Sequence, residues 1–162
     1  MSELLVLGLG NVLCEDDGAG VEAVRRLSES YEAPEGVEFV DGGTLGMSLL
    51  PMVGDAKALL IVDAVAADAP PGTLIELEGD AVPRAALERL SPHQVGVADL
   101  LHGAMWTDRL PERLVLVGVV PDRMGLGIEL TPRVAAALPG LVERVAGVAS
   151  RFGFPLMRRR DA

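Results

Sequence analysis

Cysteine occurs once, histidine twice and aromatic residues make up only 3% of a 162-residue chain in which 14 basic side chains face 24 acidic ones. The single thiol, Cys14, excludes an internal disulfide framework and suits a reducing compartment. With so few aromatics the core has to be built from Leu, Val, Ala and Ile, the composition of a parallel sheet covered by helices. The shortage of basic residues leaves a formal charge of -10 and excludes nucleic acid as the main partner, because phosphates need a basic footprint. A metal ion or a basic partner stays compatible with that charge. Long apolar runs are also missing, since Gly, Pro or a charge interrupts each before bilayer length. The start, Met1-Ser-Glu-Leu-Leu-Val6, has no basic stretch ahead of a signal-type core. The expectation is one domain over residues 1–162, cytoplasmic, with no membrane insertion.

What is present is organised around Leu4-Leu-Val-Leu-Gly-Leu-Gly-Asn-Val-Leu-Cys-Glu-Asp-Asp-Gly-Ala-Gly20. A short apolar run broken by Gly8 and Gly10 and followed by helical periodicity from Val21 reads as strand, loop and helix. Glu15, Asp16 and Asp17 then sit beyond a strand's carboxyl end, where ligands bind in open α/β sheets. Val37 to Val40 reads as a second strand ending at Asp41, and Ala58 to Val62 as a third, buried on both faces and ending at Asp63. A short helix is expected from Thr44 or Leu45 to about Pro51. Thr73 to Leu77 reads as an edge strand, Pro83 to Leu90 as a short helix, Val95 to Gly103 as a helix and Leu114 to Val120 as a buried strand. Thr131-Pro132 opens a last helix, with Thr131 as its cap and a kink or late start expected at Pro139-Gly140. Residues 156–162 read as a frayed tail. The pattern predicts a three-layer α/β/α domain around a mostly parallel twisted sheet of about five strands.

A dinucleotide site is disfavoured at Gly8-Leu-Gly10, because the third fingerprint glycine is replaced by Leu13 and three acids would repel a pyrophosphate. Asp16 or Asp17 has a plain alternative role in capping the helix that follows. Capping does not account for Asp63, nor for His93, which Pro92 and the following helix place in a loop. One imidazole and two carboxylates from separate strand ends compose a mixed nitrogen and oxygen site for a divalent ion such as zinc or nickel. His102 reads as structural. Cys14 reads as a small buried residue, since neighbouring acids disfavour a thiolate. Met47, Met52, Met105 and Trp106 read as packing or as the wall of a peptide groove.

The segments Gly8-Leu-Gly-Asn-Val-Leu-Cys-Glu-Asp-Asp-Gly-Ala-Gly20, Asp41-Gly-Gly-Thr-Leu-Gly46, Ile61-Val-Asp-Ala64, Ser91-Pro-His-Gln-Val-Gly-Val-Ala-Asp-Leu-Leu101 and Leu116-Val-Gly-Val-Val-Pro121 together resemble the maturation endopeptidases of nickel-iron hydrogenases. The match runs in order to Leu130-Thr-Pro132, and Ser91-Pro-His-Gln94 is similar to the branch serving uptake-type enzymes. The resemblance implies a cytoplasmic protease that removes a C-terminal extension from the hydrogenase large-subunit precursor after nickel insertion. It implies metal contacts at Asp17, Asp63 and His93, with Asp16 as the alternative to Asp17 and Asp41 assisting substrate recognition. Nickel would arrive with the substrate, leaving the isolated enzyme metal-free. A nickel-binding maturation chaperone without protease activity requires the same ligands and is the alternative.

Overall fold

The computed structural model describes residues 2–83 and 95–160. Five strands form one sheet in the order β3-β1-β4-β6-β5: β1 is Leu4–Leu9, β3 Val37–Gly43, β4 Ala58–Ala64, β5 Leu74–Glu78 and β6 Arg113–Val119. All neighbours are parallel except β5, which runs antiparallel to β6 at the edge. Four α-helices lie wholly within the described residues: α1 (Ala19–Ser30), α2 (Leu50–Asp55), α3 (Val95–Trp106) and α4 (Pro132–Arg151).

Alternation along the three central strands builds two cores, one on each face. Leu4, Val6, Leu60, Val62, Val115 and Val117 pack under α1 and α4, whose Val24, Leu27, Leu138, Leu141 and Val145 are buried against them. Leu5, Leu7, Leu59, Ile61, Leu114 and Leu116 face the other way, toward Val53 of α2 and Leu100, Leu101 and Ala104 of α3. Strands buried on both faces explain why their sequences are continuous in apolar character. Each such side chain contributes about 1.5–3 kcal/mol through burial. The three-layer arrangement is the one the sequence pattern predicts.

The order of strands positions the site. From β1 the chain passes through α1 to β3 on one side, then through α2 to β4 on the other side of β1. The carboxyl ends of β1 and β4 therefore flank the point where strand order reverses, which is where an open α/β sheet leaves a crevice. Gly8 lies opposite Val62 in register, so the loop after β1 and Asp63 of β4 leave the sheet side by side.

Several expectations are corrected. Pro51 starts α2 instead of ending a helix, because a 3₁₀ turn at Gly46–Leu49 precedes it and proline is tolerated in a first turn. Strand β3 continues through Asp41 to Gly43, and α3 runs three residues past Gly103 to Trp106. Helix α4 passes through Pro139 without a break; Ala135, Pro139 and Gly140 are all exposed, so water can reach the carbonyl left without its donor. The tail does not fray at 157–158. Met157–Arg158 (β7) pairs antiparallel with Tyr31–Glu32 (β2), and the Arg158 guanidinium contacts Glu143 at 2.6 Å and lies over the Tyr31 ring. The helix expected over Pro83 to Leu90 falls largely outside the described residues.

Candidate functional site

The loop after β1 sends three consecutive acids to three destinations. Glu15 takes φ 48, a left-handed backbone uncommon for a side chain of its kind. Its amide donates to the Gly127 carbonyl at 2.8 Å and its carboxylate receives the Arg123 guanidinium at 2.6 Å. Asp16 turns inward and is fully buried. Its Oδ2 accepts the Asp122 and Arg123 amides at 2.8 and 3.0 Å and the Thr131 hydroxyl at 2.7 Å, while Oδ1 accepts the Thr131 amide at 2.8 Å. Burial pushes the Asp16 carboxyl up, but the four donors outweigh it and hold its pKa below the ordinary value. Asp16 is thus a saturated carboxylate that ties the first loop to residues 122–131. The hydroxyl of Thr131, expected to cap α4, is spent on Asp16, and it makes no cap hydrogen bond.

Asp17 turns back toward the sheet. It is buried, its Oδ2 accepts the Asn11 amide at 3.0 Å, and it lines a cleft of about 140 Å³ with Asn11, Cys14, Thr44 and Met124. Asp63 at the end of β4 is also buried, and among the described residues it accepts one hydrogen bond, from the Ala64 amide to Oδ1 at 2.7 Å. Burial drives the Asp63 carboxyl well above its ordinary range, the Ala64 bond opposes this weakly, and the charge of Asp17 adds to the rise.

Glycines let the two acids approach. Gly10 has φ +131, and a Cβ there would fall 1.8 Å from the Asp17 carbonyl oxygen and 3.6 Å from Asp63 Oδ1. At Gly20, in the first turn of α1, a Cβ would fall 2.1 Å from the Val62 carbonyl oxygen and 2.6 Å from that of Leu9. Any side chain at either position forces the first loop or α1 away from the end of β4.

The arrangement has a definite chemical character. Two carboxyl groups share a site in which burial opposes the charge of Asp63 and Asp17 opposes it further. A cation arriving between them relieves both terms, so the pair is suited to meet positive charge brought in by a ligand. Among the described residues no group of three or more His, Cys, Asp or Glu side chains is assembled to hold a metal ion. His93, the third expected ligand, lies outside the described residues. Asp41 stands opposite Gly8 on the far side of β1 from Asp63, is exposed, and does not line the Asp17 cleft.

Of the remaining candidates, His102 is half-buried on α3. Cys14 is half-buried and lines the cleft instead of the core. Trp106 is 90% exposed, so it is not a packing residue. The partners of Asp16 carry no signal in the sequence. They lie 106 to 115 positions away, and no local pattern announces them.

Comparison with known proteins identifies relatives of the same fold. The hydrogenase maturation protease family model matches residues 21–148. The chain is 38% identical to the hydrogenase 2 maturation protease of Escherichia coli K12 over 157 residues, covering 96% of each. It is 41% identical over 160 residues to the hydrogenase expression/formation protein HupM of Azotobacter chroococcum, covering 93% of this chain and 77% of that one. Among solved structures, the hydrogenase maturating endopeptidase HybD of Escherichia coli superposes with a TM-score of 0.91 at 38% identity over the full length of both chains. The [NiFe] hydrogenase maturation protease HybD of Thermococcus kodakarensis gives 0.74 at 30% identity, covering 92% of this chain and 99% of that one.

Proposed function

Because this chain belongs to the hydrogenase maturation protease family, we propose that it cleaves the C-terminal extension from a nickel-loaded hydrogenase large-subunit precursor and reads the bound nickel through Asp17, Asp63 and His93. The observation that carries this reading is the buried Asp63 carboxyl, which has one hydrogen-bond donor among the described residues and shares its site with Asp17. A carboxyl so poorly supplied is costly to keep charged, and a cation delivered by the substrate offsets that cost. Nickel is therefore cargo carried by the precursor, and its arrival is the signal that assembly is complete. An ion held by Asp17, Asp63 and His93 would supply positive charge there, and a carboxylate of the pair would accept the proton of the attacking water. Asp16 takes no part as a ligand, since both its oxygens are occupied. No helix among the described residues is long and apolar enough to cross a membrane.

The reading is tested with His93→Ala and Asp17→Asn on nickel-loaded precursor. Each variant should cut at a rate reduced by about 10³-fold, the scale of a lost acid-base or charge-positioning group. Cleavage by either at the wild-type rate removes that residue from the mechanism.

A further inference from the structure

The segment partnered by Asp16 continues into a surface the reaction scheme does not use. The Gly127 amide donates to the Leu13 carbonyl at 2.9 Å and the Glu15 amide donates to the Gly127 carbonyl at 2.8 Å, so residues 13–15 and 127 form a strap with parallel backbone pairing. Cys14 of the strap lines the Asp17 cleft, and its neighbour Glu15 lines a groove of about 270 Å³ together with Val12, Gly18, Ile128, Leu130 and the carboxylates of Glu22 and Glu129. Leu126 is 91% exposed, Ile128 80%, Leu13 58% and Val12 49%. Single exposed apolar residues need no explanation, but four on two loops held together by backbone bonds mark an interaction surface.

We propose that the strap and groove dock the substrate chain itself, in the form of a precursor segment next to the scissile bond that presents one large apolar side chain beside a basic one. The proposal rests on the endopeptidase reading above. Three observations select this occupant. At about 270 Å³ the groove takes one or two side chains and falls below the usual range for a cofactor or drug-sized ligand. Its lining holds three carboxylates against one guanidinium, Arg26, in a chain of net charge -10, which favours a basic segment over an acidic one. Glu15 and Glu22 already contact Arg123 and Arg26, whereas Glu129 has no ion pair among the described residues and is the carboxylate open to a basic side chain. The third observation is adjacency: Cys14 and Asp17 line the cleft while their chain neighbours Glu15 and Gly18 line the groove, so both concavities border the same loop.

The test is the affinity of purified nickel-loaded large-subunit precursor for wild type, Ile128→Asp and Glu129→Lys, measured by isothermal titration. Both positions are exposed, so both variants should keep the wild-type melting temperature. The proposal predicts that Ile128→Asp weakens binding by about tenfold or more and that Glu129→Lys weakens it by about threefold or more, with the Glu129 effect shrinking in high salt. Affinities within twofold of wild type for both variants overturn the docking surface. If wild type binds the precursor without shortening it, the endopeptidase reading fails while the same titrations still decide the surface. If wild type neither binds nor cleaves, both fail.

Discussion

Asp16 and Asp63 are both buried carboxyl groups at the carboxyl edge of one mostly parallel sheet, and the protein treats them in opposite ways. Four donors converge on Asp16, including two backbone amides from the 122–123 turn and both the amide and hydroxyl of Thr131. One amide, from its own neighbour in the chain, reaches Asp63 among the described residues. The first is stabilised as an anion and the second is pushed toward its neutral form. Among the described residues, the fold supplies the first carboxylate with partners on both oxygens and the second with a single neighbouring amide. Adjacent Asp16 and Asp17 also diverge, because the 3₁₀ turn Glu15–Gly18 points successive side chains about 120° apart.

That contrast can be broken by substitution. The largest effect belongs to Asp63→Asn, which should reduce cleavage of nickel-loaded precursor by about 10³-fold, roughly 4 kcal/mol of barrier. The same variant should unfold at a higher temperature than wild type at pH 7. The sign follows from the raised pKa: as pH rises past the ordinary 3.8, the unfolded Asp63 ionises before the folded one does, and wild-type stability falls. The advantage of Asn should therefore shrink as pH is lowered toward 3.8. Next in size, Asp16→Ala leaves four donors without their acceptor and should cost about 3 kcal/mol of unfolding free energy by denaturant titration. Its pH dependence runs the other way. Asp16 contributes stability above its ordinary 3.8 and loses it as pH falls through its lowered folded pKa, so variant and wild type should converge in acid. Smallest is Thr131→Val, which removes one of the four donors and should cost about 1 kcal/mol, a shift of roughly 2–4 °C, with Thr131→Ser restoring most of it. A destabilised Asp63→Asn or a neutral Asp16→Ala would erase the distinction between the two sites.

Much of this was legible in the amino-acid pattern because burial on both faces writes itself into strand sequences. Leu4–Leu9, Ala58–Ala64 and Arg113–Val119 read as strands for that reason, and their carboxyl ends led directly to Asp17 and Asp63. What escaped was decided by contacts distant in sequence. Asp16 looks like Asp17 until the 122–131 segment folds over it, and Thr131 looks like a helix cap until its hydroxyl is claimed. The two-residue pairing of Met157–Arg158 with Tyr31–Glu32 is too short to leave a periodic signal. By pattern Pro51 ends a helix and Pro139 kinks one or delays its start, yet the first sits where a helix begins and the second where solvent can satisfy the exposed carbonyl.

The most direct test of the account is the mass of purified large-subunit precursor after incubation with this protein, with nickel-loaded and nickel-free samples run side by side. The account predicts that a C-terminal fragment is lost from the loaded sample alone. An unchanged mass in the loaded sample would contradict the protease assignment, and equal loss from both would contradict the role of nickel as the signal read by Asp17, Asp63 and His93.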